Sequence, residues 1–95
     1  MNKYEIMFIV KASLEENTIK EVSKSYEKLL KDFKANIKNS KELGQKKLAY
    51  PIKEESRGYY FLLNVETTAE AVKEFDRKAR LDESVLRHLI IKEEE

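Results

Sequence analysis

Leu48-Ala-Tyr-Pro-Ile-Lys-Glu-Glu-Ser-Arg-Gly-Tyr-Tyr-Phe-Leu-Leu-Asn-Val-Glu66 is the stretch that decides the fold. Leu48, Tyr50 and Ile52 alternate with other residues at the period of a half-buried strand. Lys53–Gly58 is polar and ends on one of the chain's two glycines, which predicts a turn. Tyr59–Glu66 is strongly apolar and predicts a second strand. Two strands joined by a short polar turn make an antiparallel hairpin. Pro51 has no amide proton to donate to a ladder, so the first strand belongs at a sheet edge. Upstream, Ala35, Ile37 and Asn39 also alternate, and Gly44 suits a bend or bulge. Residues 35–53 therefore read as one long interrupted strand.

The flanks repeat a simpler pattern. Lys3–Val10 is a nearly continuous apolar strand of the kind covered on both faces. Ser13-Leu-Glu-Glu16 fits a capping box, and Ile19, Val22, Tyr26, Leu29, Leu30 and Phe33 then line one helical face. After the hairpin, Thr67-Thr-Ala-Glu70 fits a second capping box. Ala71 or Val72, Phe75 and Ala79 continue as a second amphipathic helix. Leu81–Ser84 is a connector and Val85–Lys92 the last strand. The order β-α-β-β-α-β is the split βαβ arrangement, an α+β ferredoxin-like sandwich with both helices on one face of a four-stranded antiparallel sheet. Residues 1–92 form the single domain and 93–95 a short, frayed acidic tail.

Composition narrows the chemistry. The chain has 95 residues, 41% hydrophobic and 39% charged, with net charge +1. There is no cysteine and one histidine, His88, which excludes disulfides, thiolate metal sites, a thiol nucleophile and multi-histidine catalysis. The start, Met1-Asn-Lys-Tyr4, leads straight into a strand without a signal-peptide pattern, and no apolar run reaches membrane-spanning length. Charge is uneven: residues 34–57 carry seven Lys or Arg against three Glu, and residues 77–92 carry five against two acids. Local basic patches therefore exist despite the low net charge.

Helices on one face leave the other face open. Asn64 and Glu66 must avoid the core, so Phe61, Leu63 and Val65 point to the helices and Tyr60 and Leu62 away. The same parity sends Ile6, Phe8, Val10, Leu86, His88 and Ile90 inward. The open face then holds Met7, Ile9, Tyr60, Leu62, Leu89 and Ile91, ringed by Glu5, Asn64 and Arg87. A contiguous apolar patch of this kind predicts a contact surface. His88 reads as a satisfied, half-buried residue, since no His, Cys or Ser partner stands near it in the pattern.

Catalysis has no support. No glycine-rich phosphate loop is present, and the carboxylates interleave with Lys at helix-pair spacing. Lys11-Ala-Ser-Leu14 lacks the Arg that acylphosphatases of this fold use after strand one. Nothing calls for a cofactor or a metal. Arg57-Gly-Tyr-Tyr-Phe61 resembles part of an RNA-recognition motif, but exposing Tyr59 and Phe61 would bury Asn64 and Glu66 at a cost of several kcal/mol.

Glu42-Leu-Gly-Gln-Lys-Lys-Leu-Ala-Tyr-Pro-Ile-Lys53 resembles the signature of the sixth protein family of the bacterial small ribosomal subunit. The likeness runs through Gly44, Lys46, Leu48, Ala49, Tyr50, Ile52 and Lys53. Tyr4-Glu5 before an apolar strand, Gly58-Tyr59, Val65-Glu66 and the apolar-apolar-Lys ending are similar too, so it spans residues 3 to 92. The resemblance implies a non-catalytic protein that binds the central domain of 16S rRNA in the cytoplasm. It also implies joint binding with a small basic partner, the eighteenth protein of that subunit, to help build the platform. Candidate RNA contacts are Lys3, Lys46, Lys47, Tyr50, Lys53, Arg57 and Arg87, and the partner contacts are the six apolar open-face residues. The alternative is a ferredoxin-like interaction or regulatory module that binds no RNA.

Overall fold

Six elements follow in the order β1 (Asn2–Lys11), α1 (Glu16–Asp32), β2 (Asn36–Ile52), β3 (Glu55–Thr67), α2 (Ala69–Leu81) and β4 (Val85–Glu93). This computed structural model describes residues 1–93. The four strands form one sheet in the order β2-β3-β1-β4, with every neighbouring pair antiparallel. It is the ferredoxin-like α+β sandwich. β2, with Pro51, lies at an edge.

The main core lies between the sheet and the helices. Ile6, Phe8 and Val10 of β1 and Phe61, Leu63 and Val65 of β3 meet Ile19, Tyr26 and Leu30 of α1 and Ala71, Phe75 and Ala79 of α2. Phe8 is its centre, with ring centroids 5.1 Å from Phe61, 5.4 Å from Tyr26 and 5.9 Å from Phe75. Each such side chain, fully buried, contributes about 1.5–3 kcal/mol. Tyr26 keeps its hydroxyl paired by donating to Asp82 at 2.9 Å, and Asp82 also accepts from Ser84 N at 2.9 Å and Ser84 Oγ at 2.7 Å. One carboxylate thus ties α1 to the α2–β4 connector.

The helix ends differ in detail from the expectation. α1 starts after Glu15, which makes no side-chain cap, and Ser13 instead donates to Glu55 Oε1 at 2.5 Å across the molecule. α2 is capped by Thr68, which accepts from Ala71 N, rather than by Thr67. Thr67 closes β3 and is buried. The C-terminus of α1 is a Schellman turn: Ala35 N bonds to Leu30 O and Lys34 N to Lys31 O. Lys34 takes the left-handed position with φ 62°. The usual glycine is missing there, so the sequence hid this stop.

Three features of the sheet also depart from the simple pattern. The turn expected over Lys53–Gly58 is only Lys53-Glu54, both at positive φ (50° and 66°), as in a tight two-residue hairpin. Ser56, Arg57 and Gly58 are already strand. Gly44, at φ 90°, sits where β2 shifts register against β3, the bulge its sequence position suggested. A further bulge opposite Ile9/Val10 pairs Ile9 with Arg87 but Val10 with Val85. It leaves Leu86 over as the extra residue. Leu86 therefore turns to the open face, where it packs with Ile9 and Leu48, and Val85 takes the core position. The inward placement of Leu86 is thus corrected. Glu93 belongs to β4 and accepts a hydrogen bond from Asn64 Nδ2 at 3.2 Å, so it is not frayed. The rest of the expected tail lies outside the described residues.

Candidate nucleic-acid interface

The hairpin of β2 and β3 carries the signature motif, and a second small core fixes its end to the sheet. Ile9, Leu48 and Leu86 are buried together on the open side, with Ile52 and Tyr60 packed against them. Gly58 lets this happen: an added Cβ would stand 2.2 Å from Ile9 Cγ2. Two polar bonds fasten the tip, Ser13 to Glu55 and Lys53 Nζ to Val85 O at 3.1 Å.

This arrangement redistributes the expected contacts. Ile9 was expected on an exposed patch but is only 6% exposed, because Leu48 and Leu86 cover it. Met7, Leu62 and Tyr60 are half-buried, whereas Leu89 and Ile91 are 50% and 47% exposed. Met7 pairs with both Leu62 and Leu89, and Ile91 pairs with Glu5, so the apolar patch is continuous across β3, β1 and β4.

The cations divide by strand parity. Lys46 faces Gly58 on the open side, and its Nζ lies 5.5 Å from the Tyr60 ring centroid. Arg87 stands on the same side, its Cζ 5.6 Å from the ring of Tyr50, which is 54% exposed. Lys47 and Arg57 pair directly across the strands and point to the helix side, next to a hollow lined by Ser13, Gln45 and Glu55. Lys46 and Lys47 are therefore neighbours in sequence that serve opposite faces. Like charges directly opposed, as Lys47 and Arg57 are, destabilise a sheet unless an anion answers them. Lys53 is engaged with the Val85 carbonyl and holds the turn. Lys3 faces Glu66 and Glu93 at the far end of the sheet, eight residues along β3 from the level of Lys46, or about 27 Å.

The ion pairs lie mostly on the helices. On the helices, Lys20 pairs with Glu16, Lys28 with Asp32, Arg77 with Glu74 and Arg80 with Asp76. His88 is held 2.7 Å from the other oxygen of Asp76. That hydrogen bond lowers the Asp76 pKa against the opposing effect of partial burial, and Arg80 adds to it. His88 is accordingly a satisfied structural residue. Among the described residues, Lys46, Lys47, Arg57 and Arg87 take part in no ion pair. Four unneutralised cations and two exposed or half-exposed tyrosines gather at one end, the composition that suits a phosphate-bearing partner.

A family profile described as ribosomal protein S6 matches residues 3–92. The chain belongs to the ribosomal protein S6 family. It is thus a structural component of the small ribosomal subunit and not an enzyme. Its fold is similar to the crystal structure of 30S ribosomal protein S6 from Thermotoga maritima, with a TM-score of 0.91 and 22% identity. That match covers 97% of this chain and 87% of the other. Among the described residues, no helix is long and apolar enough to cross a membrane.

Sequence reasoning missed the grouping of Tyr60 with Lys46, having placed Tyr60 among the partner contacts. The signal was available: Gly44 marks a bulge, and the bulge sets which β2 lysine shares a face with Tyr60. The anchoring role of Leu48 and Gly58 carried no such signal, because it depends on Leu86 leaving the core.

Proposed function

We propose that this protein binds the central domain of 16S rRNA in the cytoplasm, jointly with the small basic eighteenth protein of the subunit, and helps build the platform. The observation that carries this reading is the pairing, on one sheet face, of a continuous apolar patch with an adjoining cluster of free cations and tyrosines. The apolar residues Met7, Leu62, Leu89 and Ile91 offer a partner a surface that repays burial. Lys46 and Arg87 next to it attract phosphate without reading sequence. Family membership supplies the ribosomal setting.

The test is a titration of a 16S central-domain fragment with and without the basic partner, over a salt series. Tight binding that requires the partner and falls with salt supports the proposal. Failure of the pair to bind the fragment at low salt refutes it. The open face would then belong to a protein-only interaction module, the alternative reading.

A further inference from the structure

The open face carries a groove of about 390 Å³ at the basic end of the apolar patch, lined by Met7, Ile9, Tyr60, Arg87 and Leu89. We propose that this groove, resting on the RNA-binding reading above, takes one unpaired nucleotide, its base stacked on Tyr60 and its phosphate held by Lys46 and Arg87. The volume falls near the lower end of the range for small-molecule sites, about 300–1,000 Å³, which accommodates a nucleoside and not a helix. His88 also lines it but is held by Asp76, the other walls are apolar or aromatic, and among the described residues the free charge lining it is the Arg87 guanidinium. Lys46 Nζ, 5.5 Å from the Tyr60 centroid, brings a second cation to the ring on which a base would lie. Tyr50, beside Arg87 and more than half exposed, gives a second ring at the mouth. Among the described residues no carboxylate lines the groove, so the free charge that an anion meets there is positive.

The choice of an unpaired nucleotide follows from the geometry. A duplex shows its phosphates and hides its base faces, so it could use the cations but not the tyrosine. An unpaired nucleotide uses both. The aromatic positions that RNA-recognition motifs expose are here Tyr59 and Phe61, on the helix side, where the Phe61 ring stacks on Phe8. Tyr60 occupies the opposite parity and is the ring that this sheet leaves accessible at the same level. The Tyr60 backbone pairs with Ile9 on one side and Gly44 on the other, which holds the platform rigid.

The experiment uses the full chain with its basic partner and the 16S central-domain fragment, with 2-aminopurine placed at single unpaired positions. Protein binding should quench the fluorescence at one of them. Tyr60→Leu should abolish that quenching and weaken binding about 5- to 150-fold, the range for loss of one base stack, without changing the salt slope. Tyr60→Phe keeps the ring and should restore both. Should Tyr60→Leu fold poorly, Tyr50→Leu at the exposed mouth should weaken binding in the same way, again with the slope unchanged. Wild-type affinity in a folded Tyr60→Leu protein overturns the groove while leaving the RNA-binding reading intact. Failure of the wild-type pair to bind the fragment at all overturns both.

Discussion

Gly58→Ala tests the joint on which the candidate interface depends. Gly58 lies in β3 directly opposite Lys46. An added methyl would stand 2.2 Å from Ile9 Cγ2, with Leu48 Cδ2 at 3.4 Å and Leu86 Cδ1 at 3.7 Å. Carbon atoms rest about 3.5–4.0 Å apart, so Ile9 must retreat by more than about 1 Å. Its Cγ2 is a branch at Cβ, which moves only if χ1 turns or the backbone shifts. The backbone is pinned from both sides, to Tyr60 and to Arg87. Overpacking of this kind costs about 1–3 kcal/mol. The stiffer unfolded chain of an Ala variant returns about 0.4–1 kcal/mol. The net loss is about 1–2 kcal/mol, which lowers Tm by roughly 5–15 °C for a domain of this size. Ile9→Ala alone should cost about 2–5 kcal/mol, because it opens a cavity. The double variant fills part of that cavity with the new methyl, so its loss should fall short of the sum by about 0.5–3 kcal/mol. Urea unfolding followed by circular dichroism measures all four corners of the cycle. An unchanged or raised midpoint in Gly58→Ala, or strict additivity in the double variant, would refute the close approach.

The cation arrangement predicts a split between faces. Lys46→Ala with Arg87→Ala should shallow the salt slope of RNA binding by about two phosphate contacts, or about 1.4–1.8 units. If RNA approaches from the open side alone, Lys47→Ala with Arg57→Ala leaves the slope unchanged; equal effects from both pairs would show RNA wrapping the hairpin tip. Asp82 predicts an acid-dependent stability. Burial acts to raise its pKa, but hydrogen bonds from the Ser84 side chain and backbone and from Tyr26 outweigh it, so the folded value is lowered. A lowered folded pKa gives stability that is full above the unfolded value, about 3.9, and is lost as pH falls through the folded one. Asp82→Asn should therefore cost about 1 kcal/mol at neutral pH, the scale of a partly exposed charged acceptor, and progressively less as pH falls below the unfolded value. A gap that persists unchanged to pH 2 would remove Asp82 from that role.

The element order was legible because period two and period 3.6 separate cleanly in this chain, and because Pro51 can sit only at an edge. Most of the face assignment followed from two polar residues, Asn64 and Glu66, that could not be buried. What failed were the places where a strand's own pattern is overridden by its neighbour. Leu86 obeys strict alternation in sequence and breaks it in the sheet, because β4 carries one residue more than β1 across the bulge at Ile9/Val10. Ile9 reads as open-face and is open-face, yet it is covered by an arm of the chain that begins nearly forty residues later. The Lys53-Glu54 turn lacks the Asn-Gly signal that marks such turns. Lys46 and Lys47 looked like one basic feature because adjacency in sequence was read as adjacency in space, which a strand forbids.

A net charge of +1 is low for an RNA binder, and the distribution explains how it can suffice. The helical layer neutralises itself through short-range pairs on α1 and α2, so those charges add little field beyond a Debye length, about 8–10 Å. At the hairpin end Lys46 and Arg87 stand on the open face and Lys47 and Arg57 on the helix side. Lys11, paired with Gly58, and Lys41, paired with Leu62, also take the open side. An RNA backbone running along the open face can then meet Lys46 and Arg87, with Lys11 and Lys41 on the same side. Even four contacts give a salt slope of only about −2.8 to −3.6, short of that of a protein making six to ten. Affinity at physiological salt must come from elsewhere. On the proposed reading it comes from the apolar patch, which shares Met7 and Leu89 with the groove that Arg87 lines. A basic partner seated on Met7, Leu62, Leu89 and Ile91 extends the positive surface past Arg87 and walls the groove on its open side. On that proposal joint binding follows from the layout, because each partner presents to the RNA only part of a site.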